Sequence, residues 1–579
     1  MIFLIATIND FIHNSGYFYW GSKYFNIIKP YLPNNLNLLK SIQTAFLYFI
    51  NADRKLNNVI QLKITSVQTD NYSLKIYYEI EKTLDYKSFQ IREALKKILN
   101  LKTIYEIPFC CVLNEIEFLD KLNDTRLIST ISMLEEQSNW QEIYQLLQKF
   151  QPIENHFIWN DAELLNKFSF ATAKLSECSE NLKKKFPDKS ERKKFIKEKK
   201  YFRELTIKLR KRIIELEPNN AAYYSNLAYT YYQSVNELTK PNSRKDGDII
   251  EDAENAIKYI DLSLKYNSGR ITDLYRKAML ISNIYGKYIF FNNYSDEQFQ
   301  EKLTSYTYAI KEGILNFQKI EAIYESFINE EQKNRYKKIY IKTLYNLAQK
   351  FLTLARTNVN LYSLIFINKE NLLNEQKEKD TINYLQLANK YIDKCIKEDY
   401  NKKKIETETE ALVECNNFTI AVYKSYLKGI INLYLYAITN NNEYEVEAKK
   451  FLYIANEINF PFEMQNQNKL FILEKLALLS LIKKNYEQPI KMLEPIYRKK
   501  YNFPVYAAYT LAISFIYKNE PSKANEIIEK YIEESNPLFK IKFQKLREYL
   551  LTRDKRIIYE TTKHDWFEEE IESSNIQNE

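Results

Sequence analysis

The feature that most constrains the fold is a pair of similar segments within residues 473–537. The first reads LEKLALLSLIKKNYEQPIKMLEPIY and the second AYTLAISFIYKNEPSKANEIIEKYIEESNP. Ala477 recurs as Ala512 after 35 residues, and Pro489 or Ala524 follows its alanine by 12 residues. A period near 34 residues with helix–turn–helix content is typical of stacked helical repeats. Such arrays present extended binding surfaces, so the pattern favours a binding protein over an enzyme.

Composition supports this interpretation. The chain has 579 residues but only 7 glycines, whereas sheet-rich enzyme folds use glycine for tight turns and phosphate-binding loops. It has 48 tyrosines and 33 phenylalanines, which are well suited to packing between helices. The composition therefore indicates a long, mainly helical protein with an aromatic core.

The N-terminal part differs in its periodicity. Residues 1–58 are expected to be helical with irregular joints, but apolar and polar residues alternate over 59–66 and again over 72–80. Period two on both sides of an Asp-Asn turn predicts a β-hairpin. A helix is predicted over residues 87–99 and a third strand, at a sheet edge, over 103–113. Residues 1–125 are therefore predicted to form a small α/β domain that contains the hairpin 59–80.

From residue 126 onward the sequence predicts helices. Residues 213–232 (IIELEPNNAAYYSNLAYTYY) end one helix at Pro218 and begin another. The second helix carries large, small and aromatic residues on one face: Tyr224, Leu227, Ala228 and Tyr231. These residues and the 473–537 pair resemble the tetratricopeptide repeat (TPR) family.

The spacing between the small residues of each helix pair varies along the chain. Ala256 follows Ala228 by 28 residues, and Ala388 follows Ala348 by 40 residues. A looser pair, Gly429 and Ala448, is 19 residues apart. Longer connections are therefore expected inside some helix pairs.

The resemblance implies an α-solenoid of antiparallel helix hairpins over residues 126–552, with helix 538–552 as its cap. The acidic residues 553–579 are expected to be disordered. The family implies a groove that holds a peptide or protein partner, lined by the first helix of each hairpin. The candidate contacts are outward positions on those helices: Asn226, Thr230, Asn346, Lys350, Tyr509 and Ser514.

A second candidate surface is basic. Residues 183–212 hold 15 Lys or Arg and 4 Asp or Glu, a balance of +11, while the whole chain carries +9. Four lysines at helical spacing could form one stripe that binds nucleic acid or another polyanion: Lys193, Lys197, Lys200 and Lys208. The alternatives are a solvated helix face or a surface for an acidic protein.

Catalytic and metal-binding patterns are weak. The three histidines, His13, His156 and His564, are far apart, and no GxxxxGK[ST] or GxGxxG motif occurs. Adjacent Cys110 and Cys111 point to opposite faces of a strand, which favours a structural role over metal binding. We expect a non-enzymatic protein without cofactor or metal.

An enzyme or effector with its site in the N-terminal domain remains the alternative. A carboxylate–lysine nuclease would need acids near a lysine on neighbouring strands. Asp70 and Asp85-Tyr86-Lys87 match by residue type, but a turn role for Asp70 and a pre-helix position for Asp85 are the simpler interpretations.

Localisation is inferred from what the sequence lacks. No run reaches the roughly 18–20 apolar residues that span a bilayer. The apolar start MIFLIATINDF lacks a basic n-region and is interrupted by Asn9 and Asp10, so a signal peptide is not expected. Five cysteines in so long a chain form no disulfide framework. A cytoplasmic protein without a membrane partner is expected.

Overall fold

The computed structural model divides the chain into two compact units, residues 1–219 and 220–579. The predicted α/β domain of residues 1–125 lies within the first unit, together with the helices that follow it. Whether residues 1–125 fold independently of those helices stays a prediction. The structure describes the following residues: 2–7, 15–20, 22–49, 58–69, 72–101, 110–113, 115–150, 152–177, 188–238, 246–285, 299–398, 418–457, 465–499, 503–534 and 537–557.

The first unit contains a mixed sheet. Its six described strands are β1 Ile2–Thr7, β2 Ser15–Trp20, β3 Thr44–Phe49, β4 Asn58–Thr69, β5 Leu74–Lys87 and β6 Cys110–Leu113. The strand order is β2-β5-β4-β3-β1-β6. β1 and β3 are parallel, and the other neighbouring strands are antiparallel. The chain is thus mainly helical with a small N-terminal α/β region.

The predicted hairpin is confirmed. β4 and β5 pair antiparallel, with Leu62 opposite Ile80 and Ile64 opposite Tyr78. The hairpin was expected to bury Ile60, Leu62, Ile64, Leu74, Ile76 and Tyr78. Ile60 is only half-buried, and the other five are buried. The Asp70-Asn71 turn and Pro108 lie outside the described residues, and β6 occupies the sheet edge as expected.

The expectation that residues 1–58 are helical is wrong over β1, β2 and β3. β1 reads IFLIAT, a run of apolar residues without alternation. It lies between β3 and β6, and both of its faces are buried: Phe3 and Ile5 join one core, Ile2 and Leu4 the other. A strand buried on both faces loses the period-two signal.

Two helices help to cover the sheet on opposite faces. α1, Ser22–Ile28, contributes Phe25 to one core, and α2, Ser88–Ile98, contributes Leu95 to the other. Cys110 faces the first core and Cys111 the second, as the strand geometry predicts. Burial raises the pKa of the Cys111 thiol to about 12, which suits an inert structural cysteine.

Four further α-helices are described in the first unit. They are α3 Glu115–Glu136, α4 Trp140–Gln148, α5 Ala162–Ser176 and α6 Lys189–Leu216. α6 packs against α5 through its second half, where Thr206 Oγ1 donates to Thr172 Oγ1 at 2.8 Å. The N-termini of α4, α5 and α6 are capped by the side chains of Asn139, Asp161 and Asp188.

The second unit is a row of helical hairpins. The α-helices that the structure describes in it are α7 Ala221–Leu238, α8 Asp246–Tyr266, α9 Ile271–Met279, α10 Phe299–Ser326, α11 Glu330–Arg356, α12 Leu361–Phe366, α13 Lys369–Leu372, α14 Glu375–Glu398, α15 Phe418–Thr439, α16 Asn442–Glu457, α17 Gln465–Ile482, α18 Glu487–Tyr497, α19 Val505–Tyr517, α20 Pro521–Glu534 and α21 Pro537–Thr552. A π-helical turn, Leu280–Tyr285, extends α9.

The hairpin pairs are α7/α8, α9/α10, α11/α14, α15/α16, α17/α18 and α19/α20, with α21 packed on the last pair. Successive first helices also contact one another from α9 through α11, α15, α17 and α19 to α21. We call the surface formed by these first helices, together with α7, the first-helix face.

The two C-terminal hairpins repeat in backbone detail. Lys484 and Asn519, 35 residues apart, both adopt positive φ, at 60° and 62°. The following amides close the same bond at 2.9 Å, from Asn485 N to Ser480 O and from Glu520 N to Phe515 O. Ala512 and Ala524 are fully buried in the pair α19/α20. Of the expected disordered tail, residues 558–579 lie outside the described residues.

Candidate functional site

A polar row crosses the first-helix face at α7, α9 and α11. On α7, Asn226 is half-buried and Tyr229 is exposed. The guanidinium of Arg276 on α9 lies 4.3 Å from the centre of the Tyr229 ring. Tyr275, beside it, accepts a hydrogen bond of 3.3 Å from Asn346 Nδ2 on α11. These five residues, which we call the polar row, connect three consecutive hairpins.

Asp273 anchors the row from beneath. This fully buried carboxylate accepts hydrogen bonds from Ser225 on α7 at 2.6 Å and from Ser263 on α8 at 2.7 Å. It also accepts bonds from Arg270 at 2.9 Å and Arg276 at 3.2 Å. Two guanidinium groups therefore share one carboxylate, so these three side chains together carry more positive than negative charge.

Burial shifts the pKa of two groups in the row, Arg276 and Tyr275. Burial lowers the pKa of Arg276, an effect only partly opposed by Asp273, Tyr229 and Tyr232. Burial also raises the pKa of Tyr275, so its hydroxyl stays neutral. The row therefore combines a cation stacked on an aromatic ring, the neutral hydroxyl of Tyr275 and two amides, a set that suits hydrogen bonding to a peptide and to an acidic group.

The predicted groove residues are mostly less accessible than expected. Only Asn226 is half-exposed, while the other five are buried: Thr230, Asn346, Lys350, Tyr509 and Ser514. The structure buries these five side chains, so their outward orientation, inferred from polarity, is not what it shows. Their direct contact with a partner stays a prediction. Sequence patterns did not identify Tyr229 or Arg276 as site residues. The only signal for them is that they lie close in sequence to the polar residues Asn226 and Asp273.

A second polar group lies on the C-terminal part of the first-helix face. Tyr362 of α12 donates a hydrogen bond of 2.6 Å to Glu474 Oε1 on α17 and lies 2.9 Å from Thr510 Oγ1 on α19. Lys475 Nζ pairs with the other carboxylate oxygen at 2.9 Å. Tyr509, a predicted groove residue, has its ring centre 5.3 Å from that of Tyr362. We call these five residues the Glu474 cluster.

The lysine stripe is the third candidate surface. Lys193, Lys197, Lys200 and Lys208 are all exposed on α6. At about 100° per residue, they fall within an arc of about 80° on the helix. The buried residues Phe202, Thr206, Leu209 and Ile213 lie on the opposite side. Within the stripe, Lys200 is 3.8 Å from Glu204, and Lys208 pairs with Glu154.

Potential metal ligands are not grouped in the parts of the chain that the structure describes. No group of three or more His, Cys, Asp or Glu side chains is placed there to hold a metal ion. His156 stacks edge-on against Phe150 with ring centres 4.6 Å apart, while His13, His564 and Asp70 lie outside the described residues. Asp85 belongs to β5, just before α2 begins.

Among the helices that the structure describes, none combines the length and the apolar character needed to cross a bilayer.

No protein-family model matches the chain, and no curated protein matches it.

Proposed function

We propose that this protein is a non-enzymatic interaction scaffold that binds a peptide segment of a protein partner on a TPR-like first-helix face. The proposal is supported by the 35-residue repeat of hairpin turns and by the contacts between successive first helices. In such arrays the first helices supply a continuous surface to which a partner segment can bind.

The observation that carries the proposal is the position of Arg276. Its guanidinium is held over Tyr229 and fixed from below by Asp273, so it is ordered before any partner arrives. A preordered cation loses little conformational entropy on binding. With Arg270 nearby, this part of the face favours a segment that carries an acidic side chain.

Site-specific cross-linking in the native cell tests this function. A photoreactive amino acid placed at Asn226 should give covalent adducts with a partner protein. The same group at Lys258, an exposed position on the second helix α8, is the matched control. Arg276→Ala should reduce the adducts at Asn226 at least tenfold without changing the far-UV circular dichroism. Equal adducts at both positions, or adducts insensitive to Arg276→Ala, would contradict the proposal.

The lysine stripe supports a second candidate function, binding of single-stranded nucleic acid. Four exposed lysines share one side of α6. Lys208 Nζ lies 5.8 Å from the centre of the Trp159 ring, so an aromatic side chain lies beside the stripe. In such a site the lysines can contact the phosphates of a single strand, and the neighbouring aromatic ring can stack on its bases.

The test is fluorescence anisotropy with a labelled single-stranded oligonucleotide. Changing the four stripe lysines to Glu should abolish binding, and the affinity of the wild type should fall steeply as salt rises. A charge-matched control changes four exposed lysines of the second unit: Lys311, Lys319, Lys338 and Lys342. If both quadruple variants bind equally, the stripe is a solvated face. If the stripe variant still binds the oligonucleotide but no longer binds an acidic protein, the partner of the stripe is a protein.

A further inference from the structure

The connection between α11 and α14 lies on the first-helix face. It comprises residues 357–374 and contains the short helices α12 and α13. α12 contacts α15 and α17, both first helices of later hairpins. Its side chains reach further, to α19 and α21. A segment that belongs to one hairpin therefore covers the face formed by the following ones.

Two aromatic residues, one helical turn apart, anchor this segment. Tyr362 makes the hydrogen bonds of the Glu474 cluster. Phe366 has its ring centre 5.7 Å from that of Tyr517 on α19 and 5.1 Å from that of Tyr549 on α21. Both anchors are almost completely buried. This is the way an amphipathic helix places i and i+4 anchors in a groove.

The segment's backbone bond to a hairpin helix lies at its tether, where Val359 N donates to Ala355 O of α11 at 3.3 Å. Its own amide bonds are local: Leu364 N donates to Asn360 O at 3.3 Å and Ile367 N to Ser363 O at 2.9 Å. Hydrogen bonds between the segment and other first helices use side chains, such as Tyr517 Oη to Ile365 O at 3.3 Å. The segment is thus held on the later first helices by bonds that involve side chains, as a separate bound peptide would be.

The face beneath the segment carries charge. Glu474 is 1% exposed and Lys475 is 4% exposed, and they pair with each other. Lys542 of α21, also buried, lies 4.9 Å from the ring centre of Tyr506. Charged groups are costly in a permanent core but are stable on a surface that water can reach. Their presence suits a face that is alternately covered and open.

We infer that residues 359–373 are an internal ligand of the first-helix face, and that a partner helix with Tyr and a second aromatic four residues later displaces them. The inference rests on the proposed function, because it names the kind of segment that the scaffold binds. It concerns α15 to α21 and not the polar row, so cross-linking at Asn226 can fail or succeed independently of it.

Hydrogen exchange of the wild-type protein tests the internal ligand directly. The amides of Leu364 and Ile367 should exchange through a local opening at low denaturant, at least tenfold faster than amides in the middle of α11 and α19. If they exchange only together with α11 and α19, the segment is permanent core and the inference is wrong. The measurement needs no variant, so a folding defect cannot obscure the result.

Binding in trans tests the partner chemistry. The probe is a fluorescent peptide with the sequence of residues 359–373, VNLYSLIFINKENLL. It should bind the full-length Tyr362→Ala/Phe366→Ala variant at least tenfold more tightly than the wild type. A control peptide with both aromatics replaced by alanine should not bind. A folded double variant that fails to bind the peptide would overturn the inference. If the double variant does not fold, the hydrogen exchange of the wild type decides.

Discussion

Gly429 on α15 lies directly against Leu452 on α16. A Cβ atom at position 429 would lie 2.7 Å from Leu452 Cγ and 3.2 Å from the Leu452 backbone amide. Real Cβ atoms essentially never approach so closely, so the absence of a side chain at Gly429 sets how near the two helices come. The predicted pairing of Gly429 with the helix that carries Ala448 thus has a steric basis.

Gly429→Ala should therefore destabilise the second unit. Helix propensity alone would favour alanine by about 1 kcal/mol, but overpacking costs about 1–3 kcal/mol. We expect a net loss of up to about 2 kcal/mol, measured as a lower urea midpoint. The control is Gly269→Ala, whose Cβ would meet only Asn267 Oδ1 at 3.7 Å. A Gly429→Ala midpoint equal to that control would show that α16 moves away without cost.

Lys484→Gly should stabilise the protein. Lys484 has a φ of 60°, a left-handed conformation that costs a residue with a Cβ about 1–2 kcal/mol. Glycine removes this cost but gains entropy in the unfolded chain, so the expected gain is about 0.5–1 kcal/mol. Lys484→Ala removes the same side chain and keeps the Cβ, so it should not stabilise. If thermal melts give the two variants the same melting temperature, backbone strain at position 484 is ruled out as the cause.

Asp273→Asn should destabilise the N-terminal hairpins of the second unit. The substitution removes the charge that Arg270 and Arg276 share and weakens the bonds from Ser225 and Ser263. Loss of one partner of a buried ion pair costs about 3–5 kcal/mol. Asp261→Asn is the control, because Asp261 is half-exposed where it meets Lys277 and should change the unfolding free energy by less than about 1 kcal/mol. If urea unfolding shows equal losses of unfolding free energy for Asp273→Asn and Asp261→Asn, Asp273 does not anchor these hairpins.

Glu445 should contribute to stability at neutral pH and lose that contribution in acid. Burial raises its pKa, but hydrogen bonds from Lys449 at 2.6 Å and Lys483 at 2.7 Å outweigh burial and lower the pKa overall. Its folded-state pKa is thus below the unfolded value of about 4.3, so the contribution is complete above that pH and disappears as pH falls further.

The measurement compares urea unfolding of the wild type and Glu445→Gln between pH 7 and pH 3. The wild type should be more stable at pH 7, and its advantage should shrink below about pH 4.3. Glu443→Gln, an exposed carboxylate in the same helical turn, is the charge-matched control. An advantage of the wild type that stays constant down to pH 3 would exclude Glu445 as the source.

The sequence predicted those elements whose two faces differ. Alternation revealed β4 and β5 because one face of each strand is solvated near the hairpin end, whereas β1 and β3, buried on both faces, gave no period-two signal. Small residues at a repeat spacing predicted the pairs α17/α18 and α19/α20. The longer spacing between Ala348 and Ala388 predicted an extended connection in the third hairpin.

The candidate site was predicted less well, because polarity was taken as exposure. Asn346 and Lys350 are polar but buried, and Asn346 is hydrogen-bonded to Tyr275 of the neighbouring first helix α9. The Glu474 cluster joins Tyr362 to residues 112 and 148 positions later in the chain. No local pattern encodes contacts at such separations, so the docking of α12 required the structure.

The docking of α12 also determines how this array should come apart. A repeat protein whose hairpins touch only their neighbours can lose them one at a time from an end. Here α12, tethered to α11, contacts α15, α17, α19 and α21, so the last hairpins are tied to the third one. While α12 is in place, the C-terminal half of the second unit should unfold as a single cooperative block rather than fray from its end.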